Sequence, residues 1–177
     1  MLYPGLVRPK FRNFSKNYYL CFAVCFLYRS KLNFTMRILI INGPNLNLLG
    51  KREPGIYGNT SFEEYYETLC ERYPDVEFSY FQSNIEGELI DAVHGADGAV
   101  DGVILNAGGY THTSVALADA IGGVKVPVAE VHISCILARE EFRHKSLIAP
   151  VCVGSVMGFG LDSYRLAVEA FLMRAGL

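Results

Sequence analysis

The chain has 177 residues, 51% of them hydrophobic, which suits one domain with a substantial core and excludes a disordered chain. Its formal net charge of −2 is unevenly divided: residues 1–35 contain six of the 16 basic residues and no acid, so all 18 acids lie in 36–177. An acidic body argues against nucleic acid as a partner, and five scattered cysteines without a CxxC pair favour a reducing cytoplasm over a disulfide framework.

Residues 1–35 differ from the rest of the chain and are interpreted separately. The apolar run Tyr18–Tyr28 follows basic residues, as in a secretory signal peptide, but no small-residue cleavage pattern comes after it. It is also shorter than the roughly 20 residues that cross a bilayer. We therefore expect 1–35 to be a disordered extension or a mis-assigned start, with one domain over 36–177 and no membrane association. A secretory or membrane signal is the alternative.

From Met36 onward, short apolar runs alternate with helical patterns that begin at capping residues. The first half predicts strand Arg37–Asn42, a long loop Gly43–Asn59, a helix from Thr60 or Ser61 to about Arg72, strand Val76–Gln82, and a helix from the capping box Ser83-x-x-Glu86 to about Ala96. The second half predicts strand Gly102–Asn106, a helix capped by Thr113 or Ser114 and ending near Gly122-Gly123, strands Pro127–Ile133 and Val151–Val156, and helix Ser163–Arg174 capped by Asp162.

Five strands that alternate with helices predict an α/β fold, with one parallel sheet covered on both faces. Such sheets bind ligands beyond the carboxyl ends of their strands. The functional residues should therefore follow Asn42, Gln82, Asn106 and Ile133.

The loop after the first strand contains Asn45, Arg52 and Tyr57 among several glycines and prolines. It is neither a phosphate loop, because six residues separate Gly43 from Gly50, nor a GxGxxG dinucleotide motif. A loop of this length is often a lid, whereas the alternative for each side chain alone is an ordinary surface position.

The third strand leads into NAGGYTHTS, where Asn106 ends the strand and His112 lies close to a helix start, which attracts anions. His112 either binds a ligand or only caps the helix. Asp119 falls in the otherwise apolar VALADAI, so its carboxylate lies either in solvent at the helix edge or at a subunit contact.

The fourth strand gives the strongest signal from the residues alone. In PVAEVHIS, Glu130, His132 and Ser134 alternate, so their side chains share one face of a buried strand. A carboxylate beside an imidazole fixes its tautomer and favours its cation, which suits a general acid; a structural hydrogen-bond network is the alternative. Arg139 and Arg143 follow at the spacing of one helical turn, and Arg143 either binds a carboxylate or is solvated.

Metal hydrolysis and acyl transfer are poorly supported. The four histidines lack metal-ligand spacing, and neither HExxH nor GxSxG occurs. Cys135 is the one cysteine near a candidate histidine base.

Four segments together resemble one family, the type II 3-dehydroquinate dehydratases, in order and spacing. They are NGPNLNLLGKREPGIYG, QSNIEGELIDAVHGA, NAGGYTHTSVALADAI and EVHISCILAREEFRHKS, and the resemblance runs from about Met36 to the C-terminus. It implies a flavodoxin-like three-layer sandwich with a five-stranded parallel sheet, a homododecamer of trimers, no metal or other cofactor, and 3-dehydroquinate as substrate. The implied reaction is an anti elimination of water through an enolate, in the shikimate pathway of the cytoplasm.

The resemblance also implies a role for each matched residue. Tyr57 resembles the base, Arg52 the residue that activates it, and His132 the general acid oriented by Glu130, while Asn45 would hold a water on the enolate. The substrate-binding positions would be Asn106, His112, Ile133, Ser134 and Arg143, with Asp119 completing a neighbouring subunit's site. Cys135 departs from the family, where many relatives have Asn, and 1–35 has no counterpart there.

A non-catalytic module of the same fold is the rival interpretation. Flavin-binding domains carry a Ser/Thr-rich phosphate loop after the first strand, where this chain has Asn and Leu. Phosphoryl-acceptor modules need an acidic cluster at the strand ends, which this sequence does not supply. A yellow colour on purification would favour the flavin interpretation.

Overall fold

The computed structural model describes residues 35–50 and 60–177, which contain one five-stranded sheet. The strands are β1 (Met36–Asn42), β2 (Val76–Gln82), β3 (Gly102–Asn106), β4 (Val128–His132) and β5 (Gly154–Met157). All neighbouring pairs are parallel, in the order β2-β1-β3-β4-β5. This order is flavodoxin-like and confirms the predicted fold class.

Helices cover both faces of the sheet and make it the middle layer of a three-layer sandwich. They are α1 (Phe62–Arg72), α2 (Glu86–Ala96), the single turn α3 (Tyr110–Thr113), α4 (Val115–Gly123) and α5 (Asp162–Arg174). Helices α1 and α5 share one buried apolar cluster with the sheet, and α2 and α4 share the other. No helix in the described ranges is both long and apolar enough to cross a membrane.

The strands β1 and β3 lie at the centre of the sheet because apolar side chains cover both of their faces. Every residue of β3 is buried, and Ile38, Ile40 and Ile41 of β1 have no exposed surface. A strand buried on both faces has a continuous apolar run rather than an alternating one, as predicted for Arg37–Asn42.

Two of the predicted helix caps are confirmed. The Ser61 hydroxyl accepts the Glu64 N–H and the Glu64 carboxylate accepts the Ser61 N–H, which completes a capping box at α1. Ser114 caps α4 by accepting the Leu117 N–H at 2.8 Å. Both hydroxyls satisfy backbone donors that a helix start leaves without intrahelical partners.

The other two predicted caps are wrong. Helix α2 begins only at Glu86, so Ser83 lies too early to cap it; its hydroxyl accepts the Ile85 N–H and donates to Glu88 instead. Asp162 is itself the first residue of α5, and its carboxylate accepts a hydrogen bond from Arg165 at 2.9 Å rather than from the helix backbone.

Two segments near the fourth and fifth strands also differ from prediction. The expected helical turn with Arg139 and Arg143 is instead two separate 3-10 turns, Ile136–Ala138 and Glu141–Arg143. The fifth strand starts at Gly154, because Ala149–Val151, which contains Pro150, forms another 3-10 turn.

Candidate functional site

A cavity of about 270 Å³ opens at the carboxyl ends of β1, β3 and β4. The described residues that line it are Pro44, Asn45, Leu46, Leu48, Leu49, Asn106, Gly108, Gly109, His112, His132, Ile133, Ser134, Ile136, Arg139 and Arg143. It lies at the edge of the sheet where parallel α/β folds bind ligands.

Asn45 lies on the turn that follows β1 and has a left-handed backbone, with φ of 67°. Its N–H donates to the Asn84 side-chain oxygen at 2.9 Å, and the Gln82 amide donates to the same oxygen at 3.3 Å. Asn residues tolerate the left-handed region better than most side chains. The segment after β2 thus helps to hold the Asn45 turn in place.

The loops after β1 and β3 approach each other backbone to backbone. The Gly43 N–H donates to the Asn106 carbonyl at 2.7 Å, and a Cβ atom on Gly43 would lie 2.6 Å from the Ala107 oxygen. Gly108 has a φ of +57°, which glycine adopts without the strain of a side chain. These glycines keep the two loops close enough for Asn45 and Asn106 to line one cavity.

A buried phenol joins the ends of β1 and β3 behind the cavity. The Tyr164 hydroxyl donates to the Asn42 side-chain oxygen at 2.8 Å and accepts from the Asn106 amide at 2.8 Å. Burial raises the pKa of Tyr164 above its usual value, so the group stays a neutral phenol. Asn106 also accepts the Gly108 N–H at 3.3 Å, which fixes the orientation of its amide.

The predicted pair on β4 forms a buried hydrogen-bonded dyad. The Glu130 side chain is 0% exposed, and one of its oxygens lies 2.9 Å from His132 Nε2. The same oxygen accepts the Ser146 hydroxyl at 2.7 Å, and the other accepts the Ser155 hydroxyl at 2.6 Å. Burial would raise the pKa of Glu130, but the hydrogen bonds from His132, Ser155 and Ser146 outweigh it and lower that pKa.

The second histidine of the cavity is held from the segment that follows the 3-10 turns. His112 Nδ1 lies 2.8 Å from the Lys145 carbonyl, which can only accept, so Nδ1 carries the proton in this contact. The rings of His112 and His132 are stacked, with centroids 6.4 Å apart. Lys145 and the next residue, Ser146, therefore support one histidine directly and the other through Glu130.

Two arginines, Arg139 and Arg143, line one wall of the cavity. Arg139 Nη1 lies 3.4 Å from the Ser134 hydroxyl, and the Glu140 carboxylate lies 3.0 Å from Arg143 Nε and 3.6 Å from Arg139 Nε. This wall can bind an anionic group such as a carboxylate.

The structure brings together most of the residues that the sequence singled out. Seven line the cavity: Asn45, Asn106, His112, His132, Ile133, Ser134 and Arg143. Asp119 is exposed on α4 and is not one of the described lining residues, and Arg52 and Tyr57 lie outside the described residues. In the described part of the chain, no three His, Cys, Asp or Glu side chains converge as metal ligands would.

Four supporting residues were not predicted: Asn84, Ser146, Ser155 and Tyr164. A signal for Ser155 existed, because Ser155 is the register partner of Glu130 on the neighbouring strand. The contacts of Ser146, Asn84 and Tyr164 join positions 16, 39 and 58 residues apart, respectively, so no short sequence pattern indicates them.

The arrangement suits proton transfer next to a bound anion. An imidazole backed by a buried carboxylate can donate or accept a proton, and the amides and guanidinium groups around it can bind hydroxyl and carboxylate groups.

Comparison with known proteins agrees with this chemistry. The family model described as dehydroquinase class II matches residues 36–172. The 3-dehydroquinate dehydratase of Exiguobacterium sp. is 57% identical over 138 residues, which are 77% of this chain and 94% of that protein. The 3-dehydroquinate dehydratase of Campylobacter jejuni is 56% identical over 139 residues, which are 77% and 87% of the two chains.

Solved structures give the same result. The type II dehydroquinase from Butyrivibrio crossotus superposes with a TM-score of 0.74 at 44% identity, and covers 77% of this chain and 97% of its own. The type II dehydroquinase from Propionibacterium acnes gives a TM-score of 0.75 at 37% identity, with 79% and 98% covered.

Proposed function

The chain belongs to the dehydroquinase class II family and is a 3-dehydroquinate dehydratase, and from this premise we propose that it works by an anti elimination through an enolate. A base removes a proton from C2, beside the C3 ketone, and the electron pair forms an enolate. The enolate then expels the C1 hydroxyl, which leaves as water after it receives a proton. The product, 3-dehydroshikimate, has a C1–C2 double bond conjugated with the ketone, and we assign the reaction to the third step of the shikimate pathway.

We assign the acid half of the reaction to His132. The observation that carries this assignment is the Glu130–His132 dyad, with an N···O distance of 2.9 Å, at the end of β4 and beside the cavity. A buried carboxylate stabilises the imidazolium, which is the form that can protonate a departing hydroxyl. Because His132 is 7% exposed, little bulk water competes for that proton.

We assign the base half to Tyr57, activated by Arg52. Both assignments come from the matched motif after β1, since these two residues lie outside the described part of the chain. A free tyrosine has a pKa of about 10 and is almost entirely protonated at neutral pH, so it needs a nearby cation to act as a base. A permanently charged guanidinium supplies that cation. Asn45 would hold a water against the enolate oxygen, and its place in the cavity wall supports this role.

The substrate would lie between the amides and the arginines. Its hydroxyl and carboxylate groups would bind Asn106, His112, the Ile133–Ser134 turn and Arg143, all of which line the cavity. The guanidinium of Arg143 in the cavity lining supports carboxylate binding. We propose no metal or other cofactor.

We propose that the enzyme is a dodecamer of trimers in the cytoplasm, in which Asp119 completes a neighbouring subunit's site. Asp119 is exposed on α4 and is not among the described residues that line the cavity, which supports this role. Asp119→Ala should raise KM several-fold and leave the sedimentation profile unchanged. A stable monomer that turns over at the full rate would exclude a shared site.

The activity itself is tested with 3-dehydroquinate, by following the ultraviolet absorbance of the conjugated enone. Turnover should persist after treatment with a chelator, and borohydride should trap no adduct with substrate. An adduct would indicate a lysine imine in place of the proposed enolate route.

The base is tested with Tyr57→Phe, which should abolish turnover while substrate binding by calorimetry changes little. Tyr73→Phe is the matched control, because the Tyr73 hydroxyl contacts Glu169 rather than the cavity. Arg52→Ala should lower kcat about as much as Tyr57→Phe. Near-normal turnover by Tyr57→Phe would rule out the proposed base.

A further inference from the structure

The dyad contains a charge that cannot be stable by itself. Glu130 is 0% exposed, and an ionised carboxylate removed from water is costly unless hydrogen bonds replace its hydration. His132 supplies one donor, to one of the two carboxylate oxygens. A single partner leaves the second oxygen unsatisfied and the plane of the carboxylate free to rotate.

Two serine hydroxyls from other segments complete the shell of donors. Ser146 lies between the 3-10 turns Glu141–Arg143 and Ala149–Val151. Its hydroxyl donates at 2.7 Å to the oxygen that also contacts His132. Ser155, on β5, donates at 2.6 Å to the other oxygen. Donors from two separate segments fix both the position and the plane of the carboxylate.

We propose that Ser146 and Ser155 are positioning residues, which keep the Glu130 carboxylate ionised and aimed at His132 so that it holds this histidine in place for proton donation. The inference rests on the proposed role of His132 as the general acid. Neither serine is among the described residues that line the cavity, so they act through Glu130 and not on the substrate.

The other titratable groups near the dyad do not replace the two hydroxyls. The Cys152 thiol is close to Glu130, but burial, followed by the Glu130 charge, raises the pKa of Cys152 to about 12, so the thiol stays neutral. His112 stacks on His132 and is bound to the Lys145 carbonyl, and Arg139 and Arg143 contact Glu140.

Ser155 offers the cleaner variant. It is exposed on an edge strand, so Ser155→Ala removes one hydroxyl with little change in packing, and Ser155→Thr keeps the hydroxyl on a residue that strands favour. Ser146→Ala removes the second donor but also a 2.9 Å bond to the Ala149 N–H, so it should lower stability as well. Ser79→Ala, at an exposed position of β2, is the control.

The sign of the effect follows from the charge. Loss of a donor disfavours the carboxylate relative to the carboxylic acid, so the pKa of Glu130 rises. As the pH is lowered, the variant should therefore lose activity at a higher pH than the wild type does. The acidic midpoint of the kcat–pH profile should rise by about one pH unit in Ser155→Ala, with KM nearly unchanged. Ser155→Thr should restore the wild-type midpoint, and Ser79→Ala should not move it.

A second measurement does not depend on turnover. Infrared titration of the carboxyl band, identified by its loss in Glu130→Gln, should give a midpoint that moves upward by the same amount in Ser155→Ala. Unchanged midpoints in both experiments would overturn the inference, as would an infrared shift without a kinetic shift. If the wild type fails to dehydrate 3-dehydroquinate, the proposed function fails, and the infrared midpoint still decides whether the hydroxyls keep Glu130 ionised.

Discussion

Tyr164 shows how a residue remote from the substrate can arrange the site. Its buried hydroxyl joins the terminal asparagines of two adjacent central strands, accepting from Asn106 and donating to Asn42. All three side chains are buried, so bulk water cannot take over these hydrogen bonds. The orientation of the Asn106 amide therefore depends on a residue of α5.

We predict that Tyr164→Phe lowers the free energy of unfolding by about 1–3 kcal/mol, because the buried Asn106 NH2 group and the buried Asn42 side-chain oxygen each lose their hydrogen bond to the phenol. It should also raise KM several-fold, since Asn106 loses a contact that orients it. Urea unfolding and steady-state kinetics measure the two effects. Tyr73→Phe, which removes a half-buried hydrogen bond to Glu169, should change KM little. An unaltered unfolding midpoint in Tyr164→Phe would contradict the argument.

At the scale of residues, the sequence indicated the groups that follow strand ends and missed those that support them. Glu130 and His132 were recognisable because they alternate on one face of a strand, a relation between near neighbours. Ser155 required the strand order, which decides that β5 lies beside β4. Ser146 required the path of an irregular segment, and no periodicity describes such a path.

The elements that form the site meet where the loops after β1 and β3 touch. Gly43→Ala tests this contact, because its new Cβ atom would lie 2.6 Å from the Ala107 oxygen, in a backbone that cannot easily yield. We predict a loss of about 1–3 kcal/mol in unfolding free energy and a clear rise in KM, as Asn45 and Asn106 move apart.

Gly95→Ala is the matched control for this substitution. Gly95 lies in α2 with open space around its Cβ position, so alanine should stabilise the helix by about 0.5 kcal/mol and leave KM unchanged. Equal effects of the two substitutions on urea unfolding would show that the close approach of the loops is not what matters at Gly43.

The same two strands are joined by an ion pair at their opposite ends. Asp101 accepts hydrogen bonds from the Arg37 backbone N–H at 2.8 Å and from its guanidinium at 3.1 Å. The hydrogen bond from the Arg37 side chain is the largest cause that lowers the pKa of Asp101. This contact lies at the amino ends of β1 and β3, away from the cavity.

A group whose pKa is lower in the folded state stabilises the fold above its unfolded pKa, and that contribution is lost as pH falls through the folded pKa. Asp101→Asn should therefore lower the unfolding free energy at about pH 7 by less than about 1 kcal/mol, because the pair is partly exposed. The difference from wild type should vanish near pH 2, and kcat should not change. Urea unfolding at both pH values checks this, and a difference that persists in acid would refute it.

Among the elements, the strands were predictable and some boundaries were not. Strands β2 and β3 match prediction residue for residue, because an alternating pattern defines β2 and an apolar run defines β3. The caps at Ser83 and Asp162 failed because a capping pattern does not fix the residue at which a helix starts. The two 3-10 turns around Arg139 and Arg143 share the local spacing of a helix, so spacing alone could not distinguish them.

For the whole molecule, we propose that the catalytic domain begins at Met36. The family match spans 36–172, and β1 starts at Met36. A chain that begins at Met36 should fold with the same Tm, assemble into the same oligomer and retain its kcat. Calorimetry, sedimentation and the enone assay compare it with the full chain. Insolubility of the shorter chain, or loss of its activity while the full chain is active, would assign a structural role to 1–35.

The adjacent residues Lys145 and Ser146 hold His112 and Glu130, and through Glu130 they support His132. These two consecutive residues therefore support both imidazoles, so a shift of this segment disturbs both histidines together. Ser146→Ala should be epistatic with substitutions at His132: once that ring is gone, further damage to its support costs little, and the free-energy changes do not add. A redesign of the cavity must accordingly vary the two histidines and this dipeptide together and not one residue at a time.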